Sequence, residues 1–223
     1  MDNFVYDDAI RELKTHAQKI FGDRKKPIWP IDAVKVIKFR EIVQAICQKY
    51  PCKNTWKFSS IHPTASIDDT VILGDGVQVF PGSVIWGDCI IGARAKIGPS
   101  AFIHEKCWIG EDAVVGHSCE IKKSILLDHT KVYHYGFIGD SVIGFDSNIG
   151  AGTIFAVKLL NGQKLKIHSF PNEEGDTLSI RKFGAIVGND VQFGVNVSVM
   201  PGSIIKPNQT IYPGTIVKDK NGS

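Results

Sequence analysis

The feature that most restricts this chain is a period of six. From Ala65 to Gly136 the sequence divides into twelve units: ASIDDT, VILGDG, VQVFPG, SVIWGD, CIIGAR, AKIGPS, AFIHEK, CWIGED, AVVGHS, CEIKKS, ILLDHT and KVYHYG. The third position of every unit is apolar, from Ile67 and Leu73 through Ile97 and Ile121 to Leu127 and Tyr133. The fourth is often glycine (Gly74, Gly92, Gly98, Gly110, Gly116), and the fifth is proline at Pro81 and Pro99. A helix repeats its core positions near 3.6 residues, so a strict six excludes one. A short strand with one inward side chain, followed by a turn, satisfies it. Glycine after the inward residue permits a tight turn, and proline at a corner forfeits no ladder hydrogen bond. The pattern predicts an all-β chain: a parallel β-helix of hexapeptide repeats, each coil burying its inner residues against its neighbours.

Other properties narrow the class. The net charge is +3 in 223 residues, and no basic block with interleaved aromatics suggests a nucleic-acid partner. The first residues, MDNFVYDDAIRELK, lack the charged-then-apolar pattern of a signal peptide. No apolar run approaches the ~20 residues of a membrane span. Five cysteines form no CxxC pair, and Cys89, Cys107 and Cys119 occupy the small first position of a unit. The expectation is a cytoplasmic protein with reduced core thiols and no membrane partner.

Outside the repeat, spacing predicts helices over residues 5–22 and about 31–50, separated by GDRKKPIWP. Residues 1–58 read as an N-terminal helical cap and linker covering the open end of the coil, and residues 59–223 as the β-helix domain. The repeat slips after Tyr133, as if four extra residues lay inside HYGFIGDSVIG, and resumes at Ile143, Ile149 and Phe155. It stops over residues 156–183, an excursion containing Asn161-Gly162, a two-residue hairpin signal, and the polar loop NEEGD. Units return at Val187, Phe193, Val199, Ile205, Ile211 and Val217.

The segments GPSAFIHEK, EIKKS, KVYHYGFIGDSVIG, NIGAGTIFA and GAIVGNDVQFGVNVSVMPG carry a more specific signal. Together they resemble the acetyltransferase half of the bifunctional N-acetylglucosamine-1-phosphate uridylyltransferase/glucosamine-1-phosphate acetyltransferase family, in its archaeal sugar-phosphate nucleotidyltransferase variant. The resemblance covers about residues 60 to 218 and implies a left-handed β-helix, whereas the general crossover rule favours the opposite hand. It implies acetyl-CoA as co-substrate, an amino-sugar phosphate such as glucosamine-1-phosphate as acceptor, and a homotrimer with each site between neighbouring subunits.

Residue by residue, the resemblance puts His134 at the family's catalytic histidine, the general base that deprotonates the attacking amine. An imidazole suits that task because its unperturbed pKa is about 6.5. Lys122 matches a phosphate-contacting lysine, His104 the position of a phosphate-binding arginine, and Asn148 a substrate asparagine. Ala151, Gly152 and Val195 match acetyl-CoA contacts. His104 and Lys122, eighteen residues apart, should stack one coil apart, about 5 Å along the axis. Four positions depart from the family: Phe137 replaces a sugar-contacting tyrosine, Val157 an asparagine, Val195 a serine and His104 the arginine. No Gly-rich pyrophosphorylase loop occurs, so nucleotidyl transfer is not expected of these residues. The departures keep open an alternative, a catalytically degenerate repeat protein serving as a binding or scaffold module.

The histidines also bear on a metal. Gamma-class carbonic anhydrases use the same repeat and hold zinc with three histidines. Gly116-His117 invites the comparison, but the partner position is Lys122. His129 and His134 have the right spacing, yet the third ligand falls near Ala93. No metal is expected. The excursion is expected to close over a neighbouring subunit's site, and two readings of its lysines (Lys158, Lys164, Lys166) stay open: contact with the phosphates of coenzyme A, or a solvated hairpin.

Overall fold

The structure, a computed structural model, describes residues 3–29, 31–50, 59–168 and 177–218. The expected NEEGD loop and the last five residues lie outside them. Three parallel sheets form a triangular coil. The first face contains eight strands, from Ser60–Ile61 to Thr210–Ile211; the second contains eight, from Ser66–Ile67 to Ile216–Val217; the third contains seven, from Ile72–Leu73 to Ser203–Ile205. Most strands are two residues long and pair in parallel with the strand one coil on, as Val79 does with Ile97 and Ile97 with Val115.

The inward residue of each strand fills the core. Val79, Ile97, Val115, Val132, Ile149 and Phe193 stack behind the first face, all buried. Full burial of such a side chain favours folding by about 1.5–3 kcal/mol, so the repeat itself holds the coil together. The outward residues of the first face are mostly polar: Gln78, Lys96, Lys131, Gln192 and Thr210 are exposed.

The third face is different, and it relocates the helices. Its outward residues, Ile72, Ile90, Trp108, Ile125, Val142 and Ile186, are all buried. Helices α1 (Asn3–Phe21) and α2 (Ala33–Lys49) lie on them. Phe21, Phe39 and Trp108 meet there, with Phe21 and Phe39 edge-on at 5.3 Å and Phe39 5.8 Å from Trp108. The helices therefore flank the coil over most of its length. The expected cap over an open end is corrected: six apolar outward residues need a cover that one end of the coil does not. Asp32 starts α2, accepting the N–H groups of Val34 and Lys35 at 2.9 and 3.1 Å.

The register also differs from the expectation. No residues are inserted in HYGFIGDSVIG. Ile109 pairs with Leu126, and Leu126 with Ile143, each seventeen residues on rather than eighteen. Two successive coils each lose one residue where the second face turns into the third, at Lys122-Lys123 and at Gly139-Asp140. Lys123 and Asp140 take the left-handed conformation at φ 47°, as Lys106 does at φ 60° on the full-length corner one coil earlier. Val132, not Tyr133, consequently points inward, and Tyr133 is 43% exposed.

The excursion leaves the same corner. Leu165–His168 and Thr177–Ile180 pair antiparallel, so the excursion is a hairpin. Asn161-Gly162 closes a turn before it, with the Gly162 N–H on the Leu159 carbonyl at 3.2 Å, and does not join the two strands. Leu165, Ile167 and Ile180 pack into the helical layer on the third face. Cys89, Cys107 and Cys119 are free and buried, and Cys47 is buried. No described helix is long and apolar enough to cross a membrane.

Candidate functional site

The corner between the first and second faces places one residue per coil in a column. From Pro81 the column runs Pro99, His117, His134, Ala151, Val195 and Pro213. Each carbonyl accepts the N–H that follows the next member: Pro81 from Ser100 (2.9 Å), Pro99 from Ser118 (3.1 Å), His117 from Tyr135 (3.0 Å), His134 from Gly152 (3.2 Å), Ala151 from Asn196 (2.8 Å) and Val195 from Gly214 (2.9 Å). Proline suits a corner whose N–H has no partner to serve. Four consecutive coils abandon it, and His134 stands among those four.

His134 ends the strand Lys131–His134, and its Cα partner one coil earlier is His117. Tyr133 and Tyr135 flank its ring at 6.1 and 6.2 Å. Tyr135 also stands edge-on to His117 at 5.5 Å. The His117 ring is tied at both ends, with Nδ1 3.3 Å from the Pro99 carbonyl and Nε2 3.3 Å from the Ser118 hydroxyl. The His134 ring is exposed and has no hydrogen-bond partner among the described residues. An exposed, unengaged imidazole can accept a proton from a molecule docked at the corner.

Ala151, Gly152 and Val195 continue the column beyond His134. Gly152 adopts φ +73°, and a Cβ there would sit 2.2 Å from the Asn196 amide oxygen, so the coils approach closely. With Val195 47% exposed, they make a smooth shelf beside the imidazole. Asn148 is half-buried on the outward side of the first face, in the coil that carries Ala151, between its Cα partners Lys131 and Gln192.

His104 and Lys122 lie elsewhere, on the corner between the second and third faces. They are stacked one coil apart, with the His104 N–H on the Ile121 carbonyl at 2.8 Å. The His104 ring is buried, stacks on Phe102 at 4.0 Å and stands edge-on to Trp86 at 5.6 Å. Its Nε2 lies 2.8 Å from a carboxylate oxygen of Glu120. Lys122 has no ion-pair partner among the described residues.

Phe137 joins the two groups. It lies on the second face three residues after His134, between its Cα partners Glu120 and Ile154, and its ring runs along Gly139 towards Val157. The predicted residues thus form two clusters at opposite edges of the second face. The chain rounds the corner between His134 and Phe137 through Tyr135, which is left-handed at φ 51°. A molecule reaching both clusters must lie across this face, over Glu120 and Phe137.

Four neighbours of these residues bear on the site beyond those the sequence motifs assign to it. His117 breaks the proline column one coil early. Glu120 engages His104. Asp140 sits on the shortened corner with its N–H on the Lys122 carbonyl at 2.8 Å. Lys182 is delivered by the return of the hairpin: the Phe183 N–H binds the Val157 carbonyl at 3.0 Å and the Gly184 N–H that of Asp140 at 2.9 Å. Burial raises the Asp140 carboxyl above the ordinary carboxylate value, opposed in decreasing order by the charges of Arg40, Lys123, Lys182 and Lys122. Only for Lys182 is there no sequence signal, because a hairpin of unknown course precedes it. Among the described residues no three His, Cys, Asp or Glu side chains converge as a metal requires.

Comparison with known proteins adds the following. Residues 85–212 match the family model described as the GMPPB C-terminal domain. A bifunctional sugar-1-phosphate nucleotidylyltransferase/acetyltransferase of Sulfurisphaera tokodaii is 38% identical over 102 residues, 45% of this chain and 24% of that protein. A bifunctional protein GlmU of Methanococcus vannielii is 39% identical over 101 residues, 45% of this chain and 23% of that protein. A bifunctional protein GlmU of Methanococcus maripaludis is 38% identical over 158 residues, 70% of this chain and 38% of that protein. The chain therefore spans well under half the length of these relatives.

Proposed function

Since the chain belongs to the GMPPB C-terminal domain family, with relatives named as sugar-1-phosphate nucleotidylyltransferase/acetyltransferases, we propose that it is an acyl-CoA-dependent N-acyltransferase. Its acceptor is an amino-sugar phosphate such as glucosamine-1-phosphate, and its donor is acetyl-CoA. The observation that carries this reading is the column Pro81, Pro99, His117, His134, Ala151, Val195, Pro213. The corner gives up proline only where an unengaged imidazole and an adjoining shelf of small residues stand together.

The chemistry follows from the placement. The acceptor lies across the second face, its phosphate at Lys122 and its amine at His134. His134 takes a proton from the amine as the nitrogen attacks the thioester carbonyl. The C–N bond forms, the C–S bond breaks, and the thiolate leaves with a proton returned by the imidazolium. Ala151, Gly152 and Val195 have the size to let an acyl chain lie against the corner, and Asn148 flanks it. His104 contributes through Glu120, which it holds over the middle of the face. Phe137 offers the sugar a ring face in place of a hydroxyl.

We also propose a homotrimer. Trp86, Ile154, Val195 and Ile216 are exposed apolar residues on the second face and its edges, and a neighbouring copy would cover them while closing the acyl shelf. Sedimentation showing a monomer at micromolar concentration would remove the shared site.

A second reading keeps the fold without turnover, as a binding or scaffold module. The engagement of His104 by Glu120 at 2.8 Å favours it, because that imidazole is not free for a phosphate. Thiol release from acetyl-CoA against a panel of amines and amino-sugar phosphates separates the two. Acyl transfer requires turnover that disappears in His134→Ala with the coil still folded; no turnover with any acceptor leaves the binding module.

A further inference from the structure

Arg40 lies on α2, outside the residues that match the family, yet it ends at the Lys122 corner. Its Nη1 is 3.0 Å from a carboxylate oxygen of Asp140, and both side chains are about nine-tenths buried. Its Nε and Nη2 are buried with no partner among the described residues. Its guanidinium stands 5.8 Å from the Phe183 ring. A pair with two unserved donors is a costly way to join a helix to a coil, since desolvation of the charges offsets most of their attraction. An apolar contact would hold α2 at least as well, which raises the question of what the charge does there.

The surroundings of Asp140 supply an answer. The Lys122 carbonyl receives the Asp140 N–H, and the Asp140 carbonyl receives the Gly184 N–H, so Lys122, Asp140 and the segment carrying Lys182 are stacked in successive coils. Neither Lys122 nor Lys182 has an ion-pair partner among the described residues, whereas Lys123 is taken by Glu105 at 3.4 Å. Asp140 is an acid on the corner that both lysines share, the charges of both act on it, and Arg40 occupies it from the inner side.

We propose that Arg40 is a positioning residue for anion binding: by pairing with Asp140 from within, it keeps that carboxylate from neutralising Lys122 and Lys182, which stay free for the phosphate of the acceptor. The helical layer on the third face thereby sets the charge of a corner it does not cover. The inference rests on the reading of Lys122 as the phosphate contact, and the experiment separates the two.

Dissociation constants are measured at about pH 8, where a released carboxylate is ionised, for glucosamine-1-phosphate and for glucosamine. Lys122→Ala tests the underlying reading: it should erase the preference for the phosphorylated ligand, and an intact preference removes Lys122 from the site. Arg40→Met keeps the volume and frees Asp140. It should weaken glucosamine-1-phosphate about tenfold, the scale of one charge-assisted contact, and leave glucosamine unchanged. Arg40→Met/Asp140→Asn should restore the wild-type constant. A merely structural Arg40 predicts that the double variant stays as weak as the single one, and that result overturns the proposal, as does an Arg40→Met variant with unaltered binding. If Arg40→Met does not fold, Arg40→Met/Asp140→Asn decides alone: wild-type affinity for glucosamine-1-phosphate supports the proposal, and weaker binding overturns it.

Discussion

His117 and His134 are Cα partners in adjacent coils, but only one of the two rings is engaged: His117 is held by the Pro99 carbonyl and the Ser118 hydroxyl, while His134 is open to solvent. Tyr135 stands between them in the left-handed conformation at φ 51°. That conformation is costly for a bulky residue, and here it is maintained by the Tyr135 N–H on the His117 carbonyl. The tied imidazole therefore helps to fix the backbone from which the free one projects.

The spacing between these two coils can be changed on purpose. A Cβ built on Gly116 would sit 2.0 Å from the Tyr133 carbonyl oxygen, so Gly116→Ala must push the His134 strand away. A displacement near 1 Å at a reacting centre costs about a hundredfold in rate. We expect kcat to fall on that scale while the far-ultraviolet spectrum of the coil is retained. Gly162→Ala is the control: it carries the backbone strain of φ +72°, but its Cβ meets nothing within 4 Å and it lies outside the coil, so a small loss of stability without the loss of kcat is expected.

Much of this arrangement was readable in the sequence, and the parts that were not have identifiable causes. The period of six gives the coil because every unit buries its third residue. The seating of the helices was also written there, in the second position of every third unit: Ile72, Ile90 and Trp108 face outward and are apolar. That signal has a period of eighteen and is hidden under the stronger one. The two shortened corners were missed because Leu126-Leu127 offers two adjacent apolar residues, either of which satisfies the inward position. Motif spacing, which survives a change in corner length within the coil, is what singles out His134, Asn148 and Ala151, and the structure puts His134 and Ala151 in neighbouring coils of one column. Lys182 and Arg40 reach the site from a hairpin and a helix, and no periodicity connects either with Lys122.

The helical layer should detach without unwinding the coil. Phe39 is fully buried between Phe21 and Trp108, and Phe39→Ala removes about 3–5 kcal/mol from that contact. Coils of a solenoid are stabilised mainly by their neighbours in the stack. Limited proteolysis of Phe39→Ala should cut within residues 3–50 and leave the repeat, with Trp108 fluorescence shifted to the red. Simultaneous loss of both parts would show that the layer is integral to the coil.

Asp128 gives a pH-dependent stability test. Burial raises its carboxyl above the ordinary value, against the lowering effect of the Glu111 N–H that it accepts at 2.8 Å. A carboxyl whose folded pKa is raised stabilises the fold fully below the unfolded pKa, and that contribution is lost as pH rises through the folded value. At neutral pH Asp128 is therefore a net cost. Asp128→Asn keeps the acceptor for Glu111 and removes the charge. We expect its Tm to exceed that of the parent by on the order of 2 °C at neutral pH. The gain should vanish as pH falls below about 3.9; a gain that persists in acid would assign the effect to packing.

The hairpin separates packing from charge within one strand. In Leu165–His168, Leu165 and Ile167 are buried in the helical layer, while Lys164 and Lys166 are exposed. Lys158 is exposed just before the Asn161-Gly162 turn, and none of the three lysines has an ion-pair partner among the described residues. Ile167→Ala should lower stability by about 2–4 kcal/mol through the cavity it leaves, with no direct effect on coenzyme A. The charged face should behave in the opposite way. Changing Lys158, Lys164 and Lys166 together to Gln removes no buried contact, so the melting temperature should hold. Exposed charge pairs contribute about 0.2–1 kcal/mol each, so three of them acting on the phosphates of coenzyme A amount to a rise of about three- to 150-fold in its dissociation constant. That rise should shrink in high salt, because exposed charges are screened. If the triple variant binds coenzyme A as the parent does at low salt, the lysines are a solvated edge, and the hairpin serves only to hold α2 and deliver Lys182.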